Sequence, residues 1–505
     1  MANNPPNNNS VSNNPQNSNE ETPQVKRGFI KQLMAGLSTP KPDDLPSKEI
    51  TQKVIAIAWP AMLESFLLHL VSMVNTMMVG GLGTWAIASI GYCQQPRMLL
   101  LAVFQAFNTG STAMVARAKG AGNIEDANKI MHQSIMFSLS LSFIFAIVGY
   151  FFSESLVRFM GASEDITIAA GTQYMRMTML SFPANALTLA ITAVLRGIGK
   201  TRASMVYNVT ANVINIIVGY FLISGNMGAP RLEVLGAATG MVSGQLVATA
   251  IALFTIIRGS DMLKLRLKYI FKFDRVLFGG VIRIGTPAML EQLFMRFGQT
   301  MFTKVVAGLG TDAYATHQIA NNILSMTMMN GQAFGVSATS LAGQSLGKKR
   351  ADHAKAYVQI CRRYAMFISL GLAAGLVFFG GFFTGMYTTE AAVIAQGAML
   401  LKMVAIIQPL QSSQQVLSGA LRGAGDTKAV ALCTFLGIVV VRPIFSYIMV
   451  YWFNWGLVGV WLSLISDQSI RSCYTMWRFA SDRWKNYDVT KSRKRGFGSG
   501  VSSSS

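Results

Sequence analysis

The segment WPAMLE at positions 59–64 returns as TPAMLE at positions 286–291, an offset of 227 positions. The offset holds downstream, because GLGT at 81–84 matches GLGT at 308–311. A match over this length predicts that the chain contains two copies of one structural unit. Each copy also carries a single glutamate inside an apolar run, at the last position of the quoted segment.

The composition is typical of a membrane protein. Of the 505 residues, 51% are hydrophobic and only 13% are charged. A bilayer core about 30 Å thick needs about 20 apolar residues per helix. Segments of this kind occur six times in each copy, so both copies enter the membrane from the same side and the repeat is parallel. We predict an all-α membrane protein with twelve transmembrane helices in two six-helix lobes. The predicted spans are 54–80, 88–116, 131–152, 166–195, 202–224 and 233–257, then 279–307, 315–344, 360–385, 391–420, 428–452 and 456–477.

The net charge of +21 follows the loops of this arrangement. Basic residues gather in alternate loops and are scarce in the others, which is the positive-inside pattern. This pattern argues against nucleic-acid binding, which a charge of this size could otherwise suggest. It predicts a multi-pass protein of the inner (plasma) membrane with both termini in the cytoplasm.

The same patterns divide the chain into five parts. The first residues are rich in Asn, Pro and Ser, which predicts disorder. Between the lobes, apolar and basic residues alternate, as suits a stretch lying against anionic headgroups. The predicted parts are a disordered, basic cytoplasmic N-terminus (1–52), an N-lobe with helices 1 to 6 (53–257), a cytoplasmic linker (258–278), a C-lobe with helices 7 to 12 (279–478) and a cytoplasmic tail (479–505).

Glu64 and Glu291 are the leading candidates for ion coupling. If helix 1 starts near Val54, Glu64 lies about 15 Å into it, near the middle of the bilayer. A charged side chain there costs about 2.5–3.5 kcal/mol or more, so a role is expected. The carboxyl could bind and release a proton, or hold Na⁺ if neighbouring oxygens complete a shell. The alternative is a structural glutamate paired with a basic residue, and Arg296 and Lys304 lie on the same helix as Glu291.

Uncharged polar residues and methionines on the apolar helices are candidates for the substrate cavity. Amides in lipid must face the bundle or a wet cavity, and methionine adapts its shape to varied apolar partners. Contacts between helices and ordinary packing are the alternative for each of them. The cavity candidates are Asn75, Asn185, Gln411, Met73, Met326 and Gln332.

Other charged and polar groups have simpler interpretations. Asp467 and Arg471 lie four apart in helix 12, which predicts an ion pair on one helix face, and Arg442 could join it. His69 follows Glu64 by five residues and is interpreted as a core group rather than a proton relay. A phosphate-binding loop would need glycine where Val194 stands, and no catalytic motif or metal-ligand spacing occurs. We therefore predict neither an enzyme nor a cofactor, with H⁺ or Na⁺ as the coupling ion.

Several segments resemble those of the multidrug and toxic compound extrusion (MATE) family. The resemblance covers roughly residues 50 to 480. The segments are VGGLG (79–83), AGLGT (307–311), ATHQIANN (315–322), ATSLAGQSLG (338–347) and the paired LRGIGKT (195–201) and LRGAGDT (421–427).

The resemblance implies two six-helix lobes around a central cavity and export of organic, often cationic, compounds driven by inward H⁺ or Na⁺. Many family members carry aspartates where this chain has Asn75 and, in one branch, Gln411. The helix-7 glutamate of that branch falls nearer Met295 than Glu291. These departures leave Glu64 and Glu291 as the leading acids.

We therefore expect a secondary antiporter that works as a monomer in the lipid bilayer and exports small organic molecules while its lobes rock about the cavity. A flippase or exporter of lipid-linked or natural-product substrates is one alternative. A non-transporting membrane scaffold is another, although a scaffold has no use for costly acids within the membrane.

Overall fold

The computed structural model describes residues 42, 44–259, 263–265 and 273–487, and most of them are helical. Most of the predicted N-terminal part, much of the predicted linker and the end of the predicted tail lie outside the described residues.

The first half of the chain forms a bundle of long helices joined by short turns. Its helices are α1 (Ser47–Gly80), α2 (Thr84–Gly120), α3 (Ile124–Phe151), the short α4 (Ser153–Phe159), α5 (Asp165–Leu180), α6 (Phe182–Gly197), α7 (Thr201–Ser224) and α8 (Glu233–Arg258).

The second half repeats this order. Its helices are α9 (Arg275–Ala307), α10 (Thr311–Thr327), α11 (Met329–Gly347), α12 (Ala351–Gly385), α13 (Ala391–Gly423), α14 (Thr427–Thr434), α15 (Arg442–Tyr447) and α16 (Gly456–Ala480). Two π-helical segments, Phe435–Val441 and Ile448–Trp452, continue α14 and α15.

Among the described residues, eight helices are long and apolar enough to cross a membrane, and α5 with α6 makes a ninth if this pair, bent by 48°, is one span. The other predicted spans, 279–307, 315–344 and 456–477, are also helical, as α9, α10 with α11, and α16. The prediction of an all-α membrane protein is confirmed.

Two spans predicted as continuous helices are interrupted. The span 166–195 breaks at Ser181, and Pro183 lies in the first turn of α6. Proline is tolerated in the first turn because the N–H it lacks would have no partner within the helix. The span 315–344 breaks at Met328, between α10 and α11. The helix breaks lie at different places in the two halves, because α2 and α13, which are the counterparts of these spans, are continuous.

The halves meet most closely at one end of the bundle, where α1 and α9 begin, which we call the linker end. Gly120 ends α2 and Gly347 ends α11, and the two positions correspond in the repeat. A Cβ added at Gly120 would overlap the carbonyl oxygen of Gln344, and one at Gly347 would overlap that of Arg117. The backbones of the two halves therefore touch directly, as small residues allow between membrane helices.

Further contacts reinforce the linker end. Gly110 of α2 lies against the backbone of Val281 in α9. Ser340 Oγ and Gln344 Nε2 of α11 donate hydrogen bonds to the carbonyl of Gly197, at 3.1 and 3.0 Å. Apolar cores also cross between the halves, one joining α2, α3 and α6 to α9 and another joining α1 to α11, α12 and α13. The halves are thus joined firmly at this end.

Replacing Gly120 with alanine should destabilise the protein, because the new methyl group must push two backbones apart. Overpacking of this kind costs about 1–3 kcal/mol. Thermal unfolding in detergent, followed by tryptophan fluorescence, should show a lower midpoint.

Gly375→Ala in α12 is the matched control, since an added Cβ meets nothing within 4 Å there. Alanine favours helix over glycine, so this variant should keep or slightly raise the midpoint. Equal midpoints for the two variants would contradict the proposed backbone contact.

Candidate functional site

Glu64 is buried between α1, α6 and α7, with 3% of its surface exposed. Its carboxylate accepts hydrogen bonds from Arg196 Nη2 at 2.9 Å, Asn208 Nδ2 at 2.7 Å and Ser204 Oγ at 3.4 Å. The carboxylate is therefore compensated within its own half by one cation and two neutral donors.

Glu291 occupies the equivalent place in the second half and is also 3% exposed. Arg422 of α13 donates to it through Nη2 and through Nε, the latter at 3.3 Å. Arg196 and Arg422 both belong to the repeated Leu-Arg-Gly segment, so the same ion pair is built twice. In the sequence this segment served only as part of the family resemblance, although an arginine that recurs together with a recurring glutamate was the available signal for the pair.

The pairing of Glu291 with Arg296 or Lys304, considered from the sequence, does not occur. Five residues advance an α-helix by about 500°, which directs Arg296 to a different face of α9 from Glu291. Lys304 lies thirteen residues, or about 20 Å, along the same axis. The partner comes instead from α13.

The start of the helix that carries Glu64 differs from the prediction. The helix begins at Ser47 rather than near Val54. The partners Ser204 and Asn208 lie three and seven residues into α7, which is about 5–10 Å from its start. Glu64 therefore lies midway along α1 but level with the first two turns of α7, because α1 begins farther out at the linker end than α7 does.

Asp467 forms the predicted ion pair with Arg471, and Arg442 joins it. Arg471 Nε lies 2.9 Å from Oδ1 of the carboxylate, and Arg442 Nη2 lies 2.6 Å from Oδ2. The Arg442 guanidinium also stacks 5.2 Å from the ring centre of Phe302 in α9. Asp467 is fully buried, so this cluster fastens α15 and α16 to α9 and holds one more positive than negative charge.

A polar surface of α1 continues beyond the contact between the halves. Near the linker end, Val54 accepts a hydrogen bond from Ser337 of α11. Ser65 and Ser72 follow Val54 by three and five full helical turns, so they point in the same direction. Here the surface is accessible: Ser65 is half-buried, and Ser72 and Thr76 are exposed.

A similar polar surface runs along α9. Gly285 packs against the backbone of α2 at Ala106 and Phe107. The same face carries Gln292, Gln299 and Thr303, which follow Gly285 by about two, four and five helical turns. Gln299 is exposed. Beyond the contact between the halves, α1 and α9 thus carry accessible polar faces, and we call the space that these faces border the cleft.

The predicted cavity residues occupy different environments. Met73 and Met326 are 45% and 41% exposed, and Gln332 of α11 is also exposed. Asn75 is half-buried, three turns past Glu64 on the face of α1 that packs against α7.

Asn185 and Gln411 lie inside the halves. Asn185 lines a cavity of about 20 Å³ together with Arg97 and Gln245, which is room for about one water molecule. Gln411 is 2% exposed, and neither polar atom of its side chain has a protein partner among the described residues. Gln411 is thus enclosed within its half in this conformation, whereas Asn185 is half-buried.

Comparison with known proteins identifies the family. The MatE family model matches residues 60–221 and 287–448, one match in each half and together more than half of the chain. The chain belongs to the MATE family.

Related sequences extend over nearly the whole protein. A protein of Thermotoga maritima named "Probable multidrug resistance protein NorM" is 25% identical over 451 residues, which are 89% of this chain and 97% of the relative. A protein of the same name from Neisseria meningitidis serogroup B is 25% identical over 428 residues, which are 83% of this chain and 92% of the relative.

Solved structures support the fold of this MATE protein. A structure described as the outward-facing conformation of a multidrug resistance MATE family transporter superposes with a TM-score of 0.80 at 21% identity, covering 86% of this chain and 96% of the other. A MATE structure in a bent conformation gives the same TM-score at 19% identity, covering 92% and 99%. The MATE family is a transporter family rather than an enzyme class, and its members are multi-pass membrane proteins.

The Asp467→Asn variant should be strongly destabilised, because it leaves two arginines buried without a counter-charge. Removing one partner of a buried ion pair costs about 3–5 kcal/mol. Thermal unfolding in detergent measures the loss.

Asp312→Asn serves as the control, because Asp312 is exposed at the start of α10. Its unfolding midpoint should match that of the wild type. If Asp467→Asn also unfolds with the wild-type midpoint, the cluster does not brace the second half.

Proposed function

We propose that this MATE protein exports small organic molecules by secondary antiport, in exchange for H⁺ or Na⁺. The two relatives above carry multidrug resistance in their names, and their similarity extends along nearly their whole length. The observation that carries the proposal is the pair of halves joined by backbone contacts at one end and separated by a polar cleft beyond. Breaking those contacts and closing the opposite end would expose the cleft to the other side of the membrane.

The orientation follows from the charges at the linker end. Arg117 and Lys119 in the last turn of α2, and Lys348 and Lys349 after α11, all lie there. By the positive-inside rule this end faces the cytoplasm of a cell whose inner membrane holds the protein. The described conformation is then open to the outside. A single chain contains both halves of the cleft, so a monomer is sufficient.

Purified protein in liposomes should move an organic dye when an ion gradient is imposed. A pH gradient and a Na⁺ gradient are applied separately, and dye movement is followed by fluorescence. One of the two gradients should drive transport, and the other should have little effect. Liposomes without protein give the background, and absence of movement above background under both gradients would reject antiport.

We further propose that Glu291 and Glu64 couple the ion to the movement. Each carboxylate would exchange its arginine partner for the incoming cation when the halves rearrange. Arg196 and Arg422 retain 30% and 29% side-chain exposure, whereas the carboxylates are buried. The arginines therefore have room to withdraw, and the carboxylates stay sheltered. The duplication gives one such exchange in each half.

The Glu291→Gln variant should lose substrate-driven ion exchange. The same change also leaves Arg422 without its counter-charge, so stability falls by about 3–5 kcal/mol whatever the role of Glu291. The double variant Glu291→Gln, Arg422→Gln separates the two effects, because it removes the unpaired charge.

If Glu291 couples the ion, the double variant should recover thermal stability but not ion exchange. Recovery of both would show that the pair is a structural brace. Glu64→Gln with Arg196→Gln provides the matched comparison in the other half.

A further inference from the structure

Arg296 lies on the face of α9 that borders the cleft. It follows Gly285 by eleven residues, which is three helical turns, so the two residues point in the same direction. Gly285 touches the backbone of α2, in the other half. Eleven residues also correspond to about 16 Å, which places Arg296 well beyond that contact.

The opposite face of α9 confirms this orientation. Phe294 packs against Phe435 with ring centres 5.0 Å apart, and Gly298 lies against Ile438. Phe302 lies under Arg442 on the same side. These residues bury the back of α9 within its own half, and Arg296 lies on the far side of the helix from Phe294.

Arg296 has no acidic partner among the described residues. Its side chain is half-buried, and it forms no ion pair or side-chain hydrogen bond within them. The nearest carboxylate along α9, Glu291, is bound to Arg422. An unpaired arginine deep in a transmembrane helix is costly in lipid and therefore indicates a water-filled surface.

No acidic side chain on the helices near the cleft neutralises the charge of Arg296. The sequences of α2 and α11 contain no aspartate or glutamate at all. In α1, Glu49 pairs with Lys53 near the linker end and Glu64 pairs with Arg196. Asp312 lies at the other end, in the first turn of α10. The middle of the cleft is therefore positively charged.

We propose that the cleft selects organic anions, with Arg296 binding the carboxylate, sulfonate or phosphate of the transported molecule. A guanidinium donates two parallel hydrogen bonds to such groups, and removing its water costs less free energy than removing the water of an ammonium. Uncharged polar groups such as Gln292 and Gln299 lie one turn to either side and can donate further hydrogen bonds. The inference rests on the proposed export function and gives its substrates the opposite charge to that implied by the family resemblance.

Lys402 is a cationic side chain that lies outside the cleft. It is exposed on α13 with Met399 and Ile406 on the same face, and these apolar side chains are 50% and 79% exposed. This is a lipid-facing surface, where a lysine can extend toward the headgroups. Lys402 therefore provides a charge-matched control for Arg296.

Two xanthene dyes of opposite charge test the proposal, carboxyfluorescein as the anion and rhodamine 123 as the cation. Binding to purified protein is measured by fluorescence polarisation, and ion-driven movement is measured in liposomes. The wild type should bind carboxyfluorescein more tightly than rhodamine 123. Arg296→Gln should weaken carboxyfluorescein binding by roughly tenfold, the usual cost of losing a charged hydrogen-bond partner.

Three variants sharpen the result. Arg296→Lys keeps the charge and should retain part of the affinity for carboxyfluorescein. Arg296→Glu should reverse the preference between the dyes. Lys402→Gln should bind both dyes as the wild type does. Matching thermal unfolding midpoints establish that each variant is folded.

The outcomes distinguish this inference from the export function. Wild-type protein that moves only rhodamine 123, or an Arg296→Gln variant that binds carboxyfluorescein as tightly as the wild type, would overturn the anion preference and leave export intact. Movement of neither dye under either gradient would overturn both. A short-chain fluorescent phosphatidylglycerol, moved in an Arg296-dependent manner when carboxyfluorescein is not, would support the anion preference and identify a lipid as its source.

Discussion

The direct contact between the backbones of α2 and α11 at the linker end is the constraint on which the rest of the structure depends. Gly120 and Gly347 occupy equivalent positions in the repeat, and each lies against a carbonyl oxygen of the other half. Lipid provides little hydrophobic force between helices, so close packing of small residues is what holds them together. Because this contact is confined to one end, the polar faces of α1 and α9 beyond it stay accessible.

Ion pairs brace each half internally, whereas backbone contacts and apolar packing join the two halves to each other. The Glu64–Arg196 and Glu291–Arg422 pairs fasten the first helix of each half to its fourth span. In a low-dielectric surrounding, neither partner of such a pair can be lost cheaply. The repeat therefore gives two internally braced halves that touch mainly at the linker end, which suits movement of one half against the other.

The two halves are not copies in their deeper packing. In the first half, Gly244 brings α8 against the backbone of α7 at Ala211. The equivalent position in the second half is Asp467, which lies beside Gly437 in a π-helical segment and binds two arginines. The charged cluster fills the place where the first half has direct helix contact. The π-helical turns of the second half lie where these larger side chains pack.

The sequence by itself determined the helical class, the parallel duplication and the burial of one glutamate in each half, because apolar runs, a fixed offset and an acid within such runs are local properties. It also predicted the Asp467–Arg471 pair, whose members lie one turn apart on a single helix. Only the tertiary structure decided which arginine meets each glutamate, since Arg196 is 132 residues from Glu64. It also decided where the helix that carries Glu64 begins, and it placed the helix breaks at Ser181 and Met328. The burial of Gln411 and the position of Arg296 beside the cleft likewise depend on how helices from distant parts of the chain are rotated against one another. Hydropathy along one segment carries no information about that rotation, which is set by the packing partners.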